Sequence, residues 1–206
     1  DFYAGAGNGT FAAPVTSTLF ANTGFSGKGL ALGDWNKDGI LDVWSSLASF
    51  TVGASRLEIS LGNGNGTFNL ATAFGPLSGA TLGEGIAIGD LNNDGLLDAI
   101  LSGAGGTGGA QVFLANGAAT FAPAVQYNAG DTMFADSVVG DFNGDGFLDF
   151  TYSLISATSI KVLLNSGTGT FTSVTYAGAL ATGGPQVGVG DLNGDGQPDA
   201  GVILVD

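Results

Sequence analysis

Four stretches of nine residues carry acidic side chains at fixed intervals: DWNKDGILD from Asp34, DLNNDGLLD from Asp90, DFNGDGFLD from Asp141 and DLNGDGQPD from Asp191. All four read D-x-N-x-D-G-x-x-D. The spacing suits one hard cation, because in a calcium loop the side chains at positions 1, 3 and 5 turn their oxygens inward, position 7 offers its backbone carbonyl, and a later carboxylate closes the shell. Glycine at position 6 permits the sharp turn. The candidate ligands are therefore Asp34, Asn36, Asp38, Ile40 and Asp42; Asp90, Asn92, Asp94, Leu96 and Asp98; Asp141, Asn143, Asp145, Phe147 and Asp149; and Asp191, Asn193, Asp195, Gln197 and Asp199.

An acidic, glycine-containing stretch can also be a plain solvated β-turn, but such a turn needs one Asp or Asn and a Gly, not carboxylates at positions 1, 5 and 9. Two carboxylates ~4 Å apart repel by ~1 kcal/mol in water and by ~4 kcal/mol at an effective dielectric of 20. A cation removes that cost, so four Ca²⁺ per chain are expected. The helix–loop–helix version of such a loop closes with Glu at position 12, whereas here Asp closes it at position 9. Strand-like runs ending in Gly precede each copy (GLALG, GIAIG, SVVG, VGVG) and apolar runs follow it, which places the loop in a β-hairpin.

Composition agrees. The chain has 206 residues, 38 of them Gly with no collagen-like period, and 44% apolar content, which together suggest one turn-dense β-domain spanning 1–206. Of its eighteen acidic residues twelve lie in the four loops, and the eight positive charges of four Ca²⁺ would bring the net charge from −14 to −6. The basic residues are only Lys28, Lys37, Arg56 and Lys161, too few for a phosphate-binding surface, so nucleic acid is not an expected partner. Absence of Cys and His removes thiol and imidazole chemistry and the usual zinc ligands. No apolar run is long enough for a membrane span. Loops of this kind suit extracellular calcium, and a disulfide-free exported protein of this size points to a bacterial or archaeal source. The chain begins at Asp1 without Met or a signal sequence, as a processed product or an excised piece would. Asn8 and Asn65 are possible glycosylation acceptors, though a turn motif explains both.

The loops begin 56, 51 and 50 residues apart, a period that signals a repeat architecture. A second signature keeps step with them: GNGTF ending at Phe11 and at Phe68, GAATF ending at Phe121 and GTGTF ending at Phe171. These read as hairpin turns. Each unit of about fifty residues then holds four strands, A to D, with the acidic loop joining A to B and the glycine-rich turn joining C to D. For one unit the strands are GIAIG, LLDAILSG, AQVFLAN and TFAPAVQY. Strand A alternates large and small residues, as in Leu30 and Leu32 against Gly29, Ala31 and Gly33, so its bulky side chains should meet the small face of an adjacent sheet. The four repeated phenylalanines are expected in the core.

The paired signatures resemble FG-GAP/VCBS repeats, the blades of the integrin α-chain type of β-propeller and of many secreted bacterial proteins and some fungal lectins. The resemblance covers nearly the whole chain. It implies an all-β propeller of four four-stranded blades, with one Ca²⁺ per A–B hairpin on the side away from the ligand face. That is fewer and shorter blades than the family's usual ring. The chain starts with strands C and D (DFYAGAGNGTF) and ends with strand B (DAGVILVD), so one blade would combine N- and C-terminal strands, with Phe2 to Gly5 pairing with Val202 to Val205 within one chain or between neighbours.

The expected function is a secreted or cell-surface binding or adhesion module for a protein or glycan, using the face built from the B–C and D–A segments. Those segments are 47–55, 73–81, 102–110, 126–134, 154–159 and 176–185, with Phe50, Phe74, Tyr127, Phe134 and Tyr176 as aromatic candidates. The alternative is a structural subunit of an extracellular assembly joined through its terminal strands; an accessory domain of a carbohydrate-active enzyme is a third reading. Outside the loops the acids are Asp1, Glu58, Glu84, Asp131, Asp136 and Asp206, and none forms a recognisable catalytic pair, so no enzymatic activity is expected.

Overall fold

The computed structural model describes residues 1–17, 25–49, 54–77, 83–103, 109–117, 119–128, 131, 133–154, 159–177 and 186–203. Their order is all β: β1 (Ser26–Gly33), β2 (Asp42–Ser49), β3 (Ala54–Ser60), β4 (Thr72–Leu77), β5 (Gly83–Gly89), β6 (Asp98–Gly103), β7 (Gly109–Phe113), β8 (Val125–Tyr127), β9 (Met133–Gly140), β10 (Asp149–Leu154), β11 (Ser159–Asn165), β12 (Phe171–Ala177), β13 (Gln186–Gly190) and β14 (Asp199–Ile203). They form three four-stranded antiparallel meanders, β1 to β4, β5 to β8 and β9 to β12, and a two-stranded sheet of β13 and β14. Among the described residues no helix is long and apolar enough to cross a membrane.

Three of the four expected units are thus complete sheets, and the fourth differs. Its strands A and B are β13 and β14, while the residues read as its strands C and D form a separate N-terminal hairpin bridged at Phe2–Val15 and Gly5–Phe11. Among the described residues this hairpin is not hydrogen-bonded to β14, and neither a fourth four-stranded blade nor ring closure is seen. The local turn is nevertheless the same in all four copies: Ala6, Asn63, Asn116 and Ser166 each donate a backbone N–H to the carbonyl of Thr10, Thr67, Thr120 and Thr170, at 2.9 to 3.1 Å. Local sequence makes the turn, and a paired neighbour extends it into strands.

Adjacent sheets pack through their first strands, β5 on β1 and β2, β9 on β5 and β6, and β13 on β9 and β10. The alternation in strand A explains this packing. A methyl group at Gly33 would lie 2.7 Å from both Ile88 Cδ1 and Leu97 Cδ1, and one at Gly89 would lie 2.6 Å from Leu148 Cδ1. Glycine is needed because the next sheet's large side chains fill that space. Between the first two sheets the core is aromatic: Trp35 stacks on Phe121 with ring centroids 5.8 Å apart and meets Trp44 and Phe74 edge-on. Between the second and third it is mixed, with Leu91, Ile100, Phe150, Tyr152, Leu163 and Phe171 buried together.

The phenylalanine of the C–D turn follows the same division. Phe121 and Phe171 join these cores, whereas Phe11 is 69% exposed, against expectation, because among the described residues no A–B hairpin is paired beside it.

Candidate metal centres

Every acidic loop is closed at its base by the same pair, Gly33 opposite Asp42, Gly89 opposite Asp98, Gly140 opposite Asp149 and Gly190 opposite Asp199. Between them the backbone turns left-handed at two positions. Glycine at position 6 has φ of 84°, 81°, 88° and 84° in the four copies. Position 4 does the same with Lys37 at 60° and Asn93 at 58°, and with Gly144 and Gly194 in the other two loops. The sequence gives little sign of this second site: Asn tolerates it, Lys does so at a cost, and two copies use Gly.

This double turn aims backbone N–H groups into the loop. In the first copy Asp34 accepts from Asp38 N–H at 3.1 Å and Gly39 N–H at 2.8 Å, Asn36 Oδ1 accepts from Asp38 N–H, and Asp38 Oδ1 accepts from Ile40 N–H. Asn36 also donates through Nδ2 to the Asp38 carboxylate at 2.8 Å. The other three copies repeat the set. In the fourth, these amides hold the Asp191 carboxyl below its ordinary pKa, with the Gly196 N–H foremost. Side chains at positions 1, 3 and 5 are thereby oriented within each loop. The described side chains form no converged group of three acids at metal-ligand separation.

Position 9 has a second role that spacing alone does not reveal. Asp42, Asp98 and Asp149 are fully buried. One oxygen of each accepts the N–H at loop position 2, from Trp35, Leu91 and Phe142 at 2.8 to 2.9 Å; the other accepts an N–H at the end of strand C, from Gly62, Ala115 and Asn165 at 2.7 to 2.8 Å. The carboxylate therefore ties the loop to the third strand of its own sheet. Burial pushes the Asp98 pKa up to about 6, its two N–H donors oppose the shift, and the charges of Asp94 and Asp90 add to it. Asp149 is raised in the same way, by burial and by Asp145 and Asp141.

These observations fit a divalent cation. The donors are all hard oxygens, at Asp98 and Asp149 the two other carboxylates of the loop lie close enough for their charges to act on the buried one, and a cation beside them would relieve that repulsion. Asp34, Asn36, Asp38, Asp42 and the Ile40 carbonyl would hold it in the first loop, with the equivalent residues in the others.

The opposite end of the sheets is partly described. Most of 47–55, 73–81, 102–110, 126–134, 154–159 and 176–185 falls at or beyond the limits of the described residues, as do Phe50 and the side chain of Phe134. Phe74 lies in the aromatic core and Tyr127 packs edge-on against Phe171, so neither is a free platform. Tyr176 is 54% exposed. Two ion pairs lie toward this end. Arg56 pairs with the buried Glu58 and stands over the Phe25 ring at 4.0 Å, and Lys161 pairs with Asp131 at 2.5 Å. Asp131 also accepts from the buried Tyr152 hydroxyl at 2.8 Å, and burial together with that acid raises the tyrosine's pKa.

The FG-GAP-like repeat family matches residues 48–101, 90–152 and 141–202. The chain belongs to that family. FG-GAP repeats are typically calcium-binding, and the three matches each span one acidic loop or two. No curated protein matches the chain. Among solved structures it resembles the Bacillus licheniformis rhamnogalacturonan lyase PL11 at a TM-score of 0.55 and 15% identity, over 85% of this chain and 39% of that one. This FG-GAP repeat domain therefore shares the fold of part of a polysaccharide lyase and spans less than half of that protein's length.

Proposed function

We propose that this FG-GAP chain is an extracellular, calcium-stapled propeller segment that binds a glycan or protein ligand through the face opposite its loops and performs no chemistry itself. The observation that carries the calcium reading is the set of buried position-9 aspartates, Asp42, Asp98 and Asp149, each tied by two amides at the foot of an acidic loop. One Ca²⁺ per loop, four in all, neutralises the clustered carboxylates and fixes the A–B hairpins. Support for a non-catalytic role comes from the acids outside the loops: Glu58 and Asp131 are committed to Arg56 and Lys161, and Asp1 accepts from Thr16. An extracellular setting suits the affinity class of such loops.

The shared fold with part of a lyase favours polysaccharide as the first ligand class to test. Affinity electrophoresis in gels containing acidic or neutral polysaccharides, with calcium and with chelator, is the experiment. Retardation by at least one polysaccharide that disappears on chelation is the expected result. Unchanged mobility in every gel, together with no capture of peptide ligands, would remove the binding-module reading and leave the role of structural subunit.

A further inference from the structure

We propose that the second and third acidic loops bind calcium as a coupled pair, with Asn165 as the positioning residue that joins them, while the first loop responds on its own. The proposal rests on the calcium reading given above and adds to it a dependence of one site on another.

Asn165 stands at the end of strand C in the third sheet and is 4% exposed. Its backbone N–H donates to Asp149 Oδ1 at 2.8 Å, which ties it to the closing carboxylate of the third loop. Its Nδ2 donates in two directions, to the carbonyl of Leu148 at position 8 of that loop (3.0 Å) and to the carbonyl of Leu91 at position 2 of the second loop (2.7 Å). The same Leu91 carbonyl accepts Gly169 N–H at 3.1 Å, and Leu91 N–H donates to Asp98 Oδ2 at 2.8 Å. Asp98, Leu91, Asn165 and Asp149 are therefore joined in turn by hydrogen bonds, so that the closing carboxylates of two different loops share one buried connection. Breaking it away from water leaves polar groups unpaired, which keeps the two loop bases in step.

The neighbouring pair of loops lacks this connection. Loops one and two meet as loops two and three do, with Leu97 packed into the space at Gly33 as Leu148 packs at Gly89. The counterpart of Asn165 there is Ala115, whose N–H donates to Asp98 Oδ1 in the same way but which carries no side-chain donor. Lys37 reaches across instead, exposed and with its Nζ 3.7 Å from where a methyl group on Gly95 would lie. An ammonium beside the second loop repels a cation there and fixes no backbone. Apolar contact is common to both pairs; the amide bridge belongs to one.

Asn165 and Leu91 must hold one arrangement for either closed loop to keep all its bonds. Whichever loop fills first bears the cost of ordering them, and the other then binds more tightly. By linkage the gain is equal in both directions. Repulsion between cations in adjacent loops acts the opposite way, and loops one and two display it without the bridge.

Each loop carries its own reporter, because the amides of Gly39, Gly95, Gly146 and Gly196 each donate to the first aspartate of their loop. Calcium titration of the isotope-labelled chain, followed through these glycine resonances by heteronuclear NMR, gives one midpoint per loop. Asp145→Ala, which disables the third loop, should raise the Gly95 midpoint by about fivefold or more and leave Gly39 in place. Asp94→Ala should raise the Gly146 midpoint by the same factor. Asp38→Ala, which disables the first loop, should not raise the Gly95 midpoint. With Asn165→Ala added, Asp145→Ala should no longer move Gly95. The loop variants retain Asn165, so they test the coupling even where Asn165→Ala does not fold. A Gly95 midpoint that stays in place when the third loop is disabled, one that rises equally when the first is, or unequal shifts in the two directions overturns the proposal and leaves one ion per loop intact. No calcium response from any of the four glycines would remove the calcium reading itself, and the coupling with it.

Discussion

The second and fourth acidic loops have nearly the same sequence, DLNNDGLLD and DLNGDGQPD, and nearly the same internal hydrogen bonds, yet they are fixed to the molecule very differently. Asp98 is fully buried and clasps Leu91 and Ala115, and Leu91 is 1% exposed beneath the third sheet. Asp199 is only half-buried; its Oδ2 accepts two amides of its own loop, Leu192 at 2.8 Å and Asn193 at 3.2 Å, and Leu192 is exposed. The nine-residue motif therefore determines the loop, while its attachment to a sheet depends on a strand C and on a following sheet. A loop of this family is a local structure with two external anchors.

Calcium should matter most where three carboxylates are crowded beside buried surface. At tenfold excess over Kd each site adds ~1.4 kcal/mol, so four add roughly 5 to 6 kcal/mol, comparable with the net stability of an ordinary domain. Differential scanning calorimetry with and without chelator is expected to show a large fall in Tm. A shift of a degree or two would mean that the amide network, not the ion, holds the loops.

The next largest effect separates the two loops directly. Asp98→Ala strands two buried N–H donors at ~1 to 3 kcal/mol each, so a loss of roughly 2 to 6 kcal/mol is expected in urea unfolding. Asp199→Ala removes hydrogen bonds near solvent and should cost about 1 kcal/mol or less. Equal losses in calcium-free buffer would erase the distinction between anchored and unanchored loops.

Asn165→Ala sharpens the comparison from the anchor's side. Its Nδ2 donates to the carbonyls of Leu91 at 2.7 Å and Leu148 at 3.0 Å, joining the third sheet to the second loop. Loss of about 1 to 3 kcal/mol is expected, measured by the same unfolding curves. The equivalent residues Gly62 and Ala115 have no such side chain, so Ala115→Gly should shift the midpoint much less.

Much of this was legible in the residues because the responsible interactions are local. The D-x-N-x-D-G-x-x-D spacing and the G-x-G-T-F turn recur in register, and the structure places every copy at a hairpin. Alternation of large and small residues in strand A likewise foretold the packing of Ile88 into the space at Gly33. What stayed hidden depends on long-range pairing. Nothing local shows that Asp42, Asp98 and Asp149 reach a strand C amide 16 to 20 residues away. Lys37 at position 4 does not look like a left-handed residue. Phe11 carries the same motif as Phe171 but is 69% exposed, and of the strand expected beside Phe2 to Gly5, Leu204 and Val205 lie outside the described residues.

Calcium titration by isothermal calorimetry, with metal content measured on the same sample, tests the central claim most directly. Four Ca²⁺ per chain are predicted, the Asp191 to Asp199 loop being the weakest and lost in Asp191→Ala, with Mg²⁺ much less effective because it demands near-octahedral geometry and keeps its waters. Fewer than three ions per chain, or Mg²⁺ serving equally well, would contradict the account.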